Sequence, residues 1–436
     1  MDANEKTWFG QPRGLTVLFL TEMWETFSYF GMRAILVYYM TKQLLLAQER
    51  ASLIYGVYTA MSYFTPILGG AVADRWLGKR RAVILGGSIM AVGHFLMTFG
   101  SLLYAALATI AIGNGLFLPS LPSQIKDLYR AEDPRRSWAY NVYYVGINLG
   151  GFLAPLVCGT LGELLGWHWG FAAAGIGMLI GLGVYVAGGK YLPESNGAGS
   201  RVSAPAAPAP VSLRETFLVL LAIGLAVTVF RGAYEQVGNT VALWADVGID
   251  RSVGAVTIPM TWFQSLNPLL VFIMTPLLLA HWRRRAARGV QQPSARKMAY
   301  GAVVVAGAYL LLAAVAHAAE PGRASWVWLL LYFMVFTYGE LYILPTGLGL
   351  FARLAPARLA ATTVAAWFFA IFTGSLTAGV VGMLWSSMEH GRFFLVLSGI
   401  AAAAAALLLA LDRPTRRIEA VRALEPQPTS PEPRFT

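Results

Sequence analysis

Twelve apolar stretches, each long enough to cross a bilayer, leave this 436-residue chain few folds to choose from. A hydrocarbon core of about 30 Å takes about 20 helical residues, and it offers the backbone no water, so such stretches close their hydrogen bonds within a helix. They are read near residues 15-41, 51-74, 82-101, 104-125, 138-163, 168-190, 215-245, 257-281, 298-318, 325-352, 359-386 and 391-411. Only 13% of residues are charged, about half the share in soluble domains. That excludes a soluble enzyme, a disordered protein and a coiled coil. The polar start, Met1 to Arg13, and the length of the first apolar run argue against a cleavable signal peptide. The expected class is an all-α membrane protein.

Between the sixth and seventh stretches, Glu194 to Leu213 is rich in Ala, Pro, Ser and Gly, the composition of a flexible linker. It divides the chain into an N-terminal six-helix half (1-193), the linker (194-213), a C-terminal six-helix half (214-411) and an Arg- and Pro-rich cytoplasmic tail (412-436) expected to be disordered. Of the 33 Lys and Arg residues, the outer loops hold only Lys42, Arg50, Arg251, Arg323 and Arg392 when both termini are placed in the cytoplasm. The cytoplasmic loops hold Lys79, Arg80, Arg81, Arg135, Arg136 and Arg283 to Arg285 among others, which is the positive-inside arrangement. The net charge of +11 therefore belongs to short loops beside spans and not to a nucleic-acid surface. Cys158 is the only cysteine, and the five histidines, including His94 in span three, are scattered singly. Neither a metal nor a cofactor is expected, and no nucleophile–base pair suggests an enzyme.

Six charged side chains fall inside spans: Glu22, Glu25, Arg33, Arg231, Glu235 and Glu340. At about 2.5–3.5 kcal/mol each they would cost of order 15–20 kcal/mol if left unpaired. Pairing, protonation or a wet cavity must offset that. At about 100° per residue, Glu22, Glu25, Tyr29 and Arg33 share an arc of roughly 80° on span one. Arg231 and Glu235, four apart, can pair along span seven. A purely structural reading, in which such pairs fix helix register, stays open for both sets. Glu340 has no cation within a turn, so it is protonated or meets an amine or a distant Arg. Asn148 and Asn267 are amides within spans, suited to a site or to gluing helices together.

Pro119 and Pro122 in span four, Pro268 and Pro276 in span eight, and Pro345, Gly347 and Gly349 in span ten are expected to interrupt their helices. The turn between spans two and three carries Gly70, Asp74, Arg75 and Gly78 before Lys79, Arg80 and Arg81. That order suits a cytoplasmic latch that holds in one conformation and breaks in another.

At these residues the sequence resembles the major facilitator superfamily and, within it, the proton-dependent oligopeptide transporter family. Span one reads Glu22-Met-Trp-Glu25-Thr26-Phe27-Ser-Tyr29-Phe30-Gly31-Met32-Arg33, close to the family's ExxERFxYYGMR. Further matches are Gly113-Asn114-Gly115, Asp133-Pro134-Arg135-Arg136, Gly146-Ile147-Asn148-Leu149-Gly150, Tyr234-Glu235-Gln236, Gln264-Ser265-Leu266-Asn267-Pro268, Gly339-Glu340-Leu341, Ala355-Pro356-Ala357-Arg358 and Trp367-Phe368. The resemblance runs from about residue 10 to 411.

The resemblance implies a major facilitator fold of twelve helices in two six-helix bundles, working by alternating access. It implies proton-coupled symport of di- and tripeptides or peptide-like amines. Glu22, Glu25 and Glu235, with Arg231, become the proton-coupling group. Tyr29, Arg33, Asn148, Asn267, Glu340 and Trp367 become the substrate site. Two cations of the family pattern are missing: Thr26 stands for an Arg, and Leu118 for a Lys. The linker is too short for the two extra helices usual in bacterial members. Arg231 could reach toward the span-one acids in place of a missing cation. Counting four Glu against two Arg gives the pocket a charge of −2, which would favour amines, so a changed substrate (a siderophore, a modified amino acid or a polyamine), altered coupling or export stay open. The implied partners are a small-molecule substrate, protons and the lipid bilayer. The chain is expected to act as a monomer in a bacterial inner membrane.

Overall fold

The computed structural model of the chain describes residues 10–129, 133, 135–193, 213–289, 292–354 and 360–423. Fifteen helices run in order: α1 (Arg13–Tyr38), α2 (Gln48–Val72), α3 (Lys79–Leu96), α4 (Leu103–Ser120), α5 (Arg136–Ala154), α6 (Thr160–Leu165), α7 (Trp167–Ala187), α8 (Leu213–Tyr234), α9 (Thr240–Val247), α10 (Trp262–Ala287), α11 (Ser294–Ala319), α12 (Val327–Leu354), α13 (Ala360–Gly382), α14 (His390–Ala410) and α15 (Asp412–Ala423). α5 with α6, and α8 with α9, each make one span, so α1 to α14 supply the twelve expected. Among the described residues nine spans are long and apolar enough to cross a membrane on length and composition alone. The other three are α1, which carries Glu22, Glu25 and Arg33, the hydroxyl-rich α2, and α3, which begins Lys79-Arg80-Arg81. Outward-facing Leu68, Ile112, Phe217, Leu225, Leu277, Leu310 and Val380 form the exposed apolar face that a bilayer, not water, would cover.

The helices pack as two six-helix bundles. α1 lies against α5 and α7 and α3 against α4, while α11 lies between α12 and α14 and α8 between α13 and α14. Glycines let neighbouring backbones approach: a Cβ on Gly86 would lie 2.6 Å from the Gly113 carbonyl oxygen, and one on Gly301 2.5 Å from that of Gly339. Gly78 (φ +74°) and Gly166 (φ +113°) turn the chain before α3 and α7 in left-handed geometry. Four two-residue strands tie the turns: β1 (Ile249–Asp250) pairs parallel with β4 (Ala324–Ser325), and β2 (Ser252–Val253) antiparallel with β3 (Val256–Thr257). β3 ends at Thr257, where span eight was expected to start; the helix begins instead at Trp262 and reaches Ala287.

The expected proline breaks are only partly there. α4 ends at Ser120 and a 3-10 turn follows from Pro122 to Leu128. α10 and α12, however, run unbroken through Pro268, Pro276 and Pro345, because a helix tolerates one missing N–H when its neighbours hold the backbone in register. The interruptions fall elsewhere: π turns at Tyr39–Gln43, Ala73–Leu77 and Pro155–Gly159, and a 3-10 turn at Glu235–Gly238 that splits α8 from α9. The linker lies outside the described residues, apart from Leu213.

The tail corrects an expectation. Its first part is α15, which buries Asp412, Thr415 and Ile418 on one side. Arg416 hydrogen-bonds Asp412, Arg296 pairs with it at 2.8 Å, and Ser294 Oγ donates to Glu419 Oε1 at 2.6 Å. The same bonds from Arg416 and Arg296 hold the Asp412 carboxyl below its usual range. A lowered carboxyl stabilises docking above the ordinary carboxylate pKa and loses that contribution only as pH falls through the depressed value. A dye at Ala420→Cys is therefore expected to keep constant anisotropy from pH 8 down to about pH 5, and to loosen only in stronger acid.

The bundles meet tightly at the end that carries Lys42. There Lys42 pairs with Asp246 at 2.6 Å, Tyr38 OH donates to the Ala242 carbonyl at 2.6 Å, and Ser52 Oγ to Asn239 Oδ1 at 2.9 Å. Glu163 accepts from the backbone N–H groups of Met260 and Thr261 at 3.0 and 2.9 Å, across the bundles. α2 and α13 touch backbone to backbone, so a Cβ on Gly379 would lie 3.0 Å from Gly56 Cα. Gly56→Leu is expected to wedge this end apart, read as faster labelling of a cysteine at the buried Ser52. Among the described residues, the ion pairs at the Lys79 end run within a bundle, as Lys79–Asp127 and Arg296–Asp412 do.

Candidate functional site

Glu235 sits where α8 gives way to its 3-10 turn, and Asn239, at φ −115° and ψ −93°, restarts the helix as α9. The break leaves Glu235 at mid-span facing α1. Two guanidinium groups close on its carboxylate: Arg33 from α1 binds Oε2, and Arg231, one turn back on α8, binds Oε1. Arg33 Nε donates to Tyr55 OH at 2.7 Å. Arg231 is 2% exposed and Glu235 1%, and the Arg231 guanidinium lies over the rings of Tyr63 and Tyr234 at 5.1 and 4.7 Å. Two cations on one anion leave a net charge of +1. This corrects one expectation: Arg231 is committed to Glu235 and does not pair with Glu22 or Glu25, because a neighbour four residues along the same helix is already within reach.

Glu340 on α12 is held by neutral donors. Tyr234 OH donates to Oε1 at 2.7 Å, and Asn267 Nδ2 from α10 donates to Oε2 at 2.6 Å, while also lying 3.0 Å from Thr337 Oγ1. Its charge of −1 has no guanidinium or ammonium within ion-pair distance among the described residues. Arg33, Asn148, Asn267 and Glu340 all line one cavity of about 170 Å³ between the bundles, walled by Phe30, Tyr63, Tyr144, Tyr234 and Phe336. Asn148, which lines the cavity, donates from Nδ2 to the Tyr144 carbonyl at 2.9 Å. The site thus offers one cationic and one anionic wall.

Other candidates lie apart from that cavity. Glu22 and Glu25 are 3% and 4% exposed and face the interior of the first bundle. Glu25 has Thr26 Oγ1 at 3.4 Å, Glu22 Oε2 has no hydrogen-bond partner among the described residues, and Tyr143 of α5 is an electrostatic neighbour of both. The pocket charge of −2 is therefore corrected: Glu22, Glu25 and Glu235 do not line the cavity, and its charged lining residues, Arg33 and Glu340, balance. Tyr29 and Trp367 were expected to line it and do not. Tyr29 stacks on Tyr58 at 6.3 Å, and Trp367, 3% exposed, packs against Phe351 in the core of the second bundle. Of the latch residues, Gly70 lies beside Pro119, while Asp74 and Arg75 are exposed and form no ion pair among the described residues. Lys79 instead reaches Asp127 at the foot of α4.

Several contributors were not singled out beforehand: Tyr55, Tyr63, Tyr144, Tyr234, Thr337 and Gln264, whose Nε2 donates to the Ala34 carbonyl at 2.9 Å. Tyr55, Tyr58 and Tyr63 form a tyrosine stripe on α2, and Tyr234 immediately precedes Glu235. Both were visible signals. Tyr144 and Thr337 gave none.

Comparison with known proteins follows the same outline. The model of the POT family matches residues 80–217 and 210–396. A Bacillus subtilis (strain 168) protein named uncharacterized transporter YclF is 32% identical over 95% of this chain and 96% of its own length. The di-/tripeptide transporter of Lactococcus lactis subsp. cremoris is 30% identical over 96% of this chain and 98% of its own. In shape, the crystal structure of a peptide transporter POT in complex with sulfate agrees at a TM-score of 0.86 and 29% identity, over 96% of this chain and 97% of that one. The twelve helices in two bundles therefore form the major facilitator fold. With the buried Arg33–Glu235–Arg231 cluster and the Glu340 site at the meeting of its bundles, the chain belongs to the POT family.

Proposed function

We propose that this chain is a secondary transporter of small zwitterions of the di- and tripeptide class. The observation that carries this reading is the cavity with a net positive wall at Arg33 and a net negative wall at Glu340. A free amine suits Glu340 with Asn267, and a carboxylate suits Arg33. The aromatic walls accept varied side chains, as a carrier of many peptides requires. The name of the Lactococcus relative supports the same class. Because the cavity walls balance, the reading favours a zwitterion over a polyamine.

The Lys and Arg asymmetry places the Lys79 end, both termini and α15 in the cytoplasm. On this reading the Lys42 end is the outer one, and its cross-bundle ties support an inward-facing conformation. Alternating access is the rocking of residues 1-193 against 214-411 across the linker at 194-213, with Gly70, Asp74, Arg75 and Gly78 forming the cytoplasmic latch of the opposite state. Proton coupling rests on Glu22 and Glu25, two buried carboxyls without a cation partner among the described residues, with Glu235 joining through Arg33. One chain contains a whole cavity, which suits a monomer, and the setting is the bacterial inner membrane.

Uptake into proteoliposomes tests the reading. Labelled dialanine is expected to accumulate under an inward proton gradient, while N-acetyl dialanine and dialanine amide compete poorly. Transport of polyamines with no competition by dialanine would overturn it.

A further inference from the structure

Glu235 has two guanidinium partners, and they differ in kind. Arg33 comes from the other bundle, so the outer end cannot part, nor can Arg33 turn to a substrate carboxylate, unless the Arg33–Glu235 pair breaks. Arg231 sits on the same helix four residues away and moves with Glu235 through any rocking of the bundles. A carboxylate left alone in a site 1% exposed must take up a proton or keep a counter-ion. Arg231 also has capacity to spare. Its Nη2 holds Glu235 Oε1, while its buried Nε has no hydrogen-bond partner among the described residues. An arginine fork can bind both oxygens of one carboxylate, so when Arg33 leaves Oε2, Arg231 can close on the whole group.

We infer that Arg231 is a resident counter-ion for Glu235, so that Arg33 is released to substrate, and the outer end opens, without a proton on Glu235. Arg231 is a positioning residue, since it does not line the cavity. The inference rests on the transport reading above and sharpens it: protons are carried by the Glu22–Glu25 pair alone. The other groups around Glu235 do not replace Arg231. Tyr29 on α1, Tyr55 and Tyr63 on α2 and Tyr309 on α11 are neutral phenols, Ser375 on α13 is neutral, and Glu340 on α12 is a further anion.

Spin labels at Ser101→Cys and Ser252→Cys, exposed at the Lys42 end on opposite bundles, report its opening in the full-length protein in nanodiscs; Cys158 is buried. The wild-type distance distribution is expected to differ between about pH 5.5 and pH 8 only by what Glu22 and Glu25 contribute, a difference that Glu22→Gln with Glu25→Gln removes. In Arg231→Gln the open population should fall by about tenfold or more from the lower pH to the higher, because only a proton can then release Arg33. Arg231→Lys, which restores a cation, should return the wild-type profile. If Arg231→Gln does not fold, Arg231→Met, which keeps an unbranched stem between Tyr63 and Tyr234, takes its place. Indistinguishable pH profiles for the wild type and the uncharged variant overturn the inference. Dialanine binding is measured on the same samples. Its absence at both pH values counts against the peptide reading, while the distance profiles still judge Arg231.

Discussion

Glu340→Gln is expected to weaken binding of a free-amine dipeptide by about 30-fold to 1,000-fold, the effect of removing one partner of a desolvated charge pair. The change is nearly isosteric, so the cavity keeps its shape. What it loses is the anion, and it also gains a conflict. Tyr234 OH and Asn267 Nδ2 both donate to Glu340, and a glutamine can accept from one of them only by pointing its own amide N–H groups at the other. A ligand without a free amine, such as N-acetyl dialanine, should lose little, because it never drew on the carboxylate. Isothermal titration of the two ligands against wild type and variant measures the difference. Equal losses for both would mean that Glu340 shapes the cavity and does not hold the amine.

Glu235→Ala is expected to produce the largest loss of stability of any single change at the site. It leaves Arg33 and Arg231 facing each other with no anion between them, and Arg231 is 2% exposed. Breaking a buried pair by removing one partner costs about 3–5 kcal/mol, and here two cations are orphaned. The apparent Tm in detergent should fall by several degrees more than for Glu22→Gln, which removes a charge that has no cation partner. Arg231→Met combined with Glu235→Ala should recover most of the loss, because Arg33 at 11% exposure still reaches the wet cavity and Tyr55. A double variant no more stable than Glu235→Ala would show that the lost packing, and not the orphaned charge, sets the cost.

The span pattern was legible because membrane helices are written in single residues: a run of Leu, Ala and Val of sufficient length has one solution in a bilayer. The site was legible in part for the complementary reason. Charges inside spans stand out against that background, and Glu235, Arg33, Asn267 and Glu340 all proved to sit where the bundles meet. The Arg231–Glu235 pair formed as expected, but other placements failed. Arg231 was sent toward Glu25, Trp367 was placed in the cavity, and the breaks were put at Pro345 and Pro268 when the chain breaks at Glu235–Gly238. Periodicity says which face of a helix a residue occupies, but not which neighbour that face meets.

The sequence by itself therefore determined the medium, the number of helices and the set of residues too costly to bury without a purpose. Those follow from transfer free energies, which depend on residue type. Only the tertiary structure decided that the four carboxylates fall into three settings. Glu22 and Glu25 lie inside the first bundle, Glu235 lies between two guanidiniums, and Glu340 alone presents its charge to the cavity. Charge balance at a site is a matter of distances between helices far apart in the chain, and no count of residues along it can supply those distances.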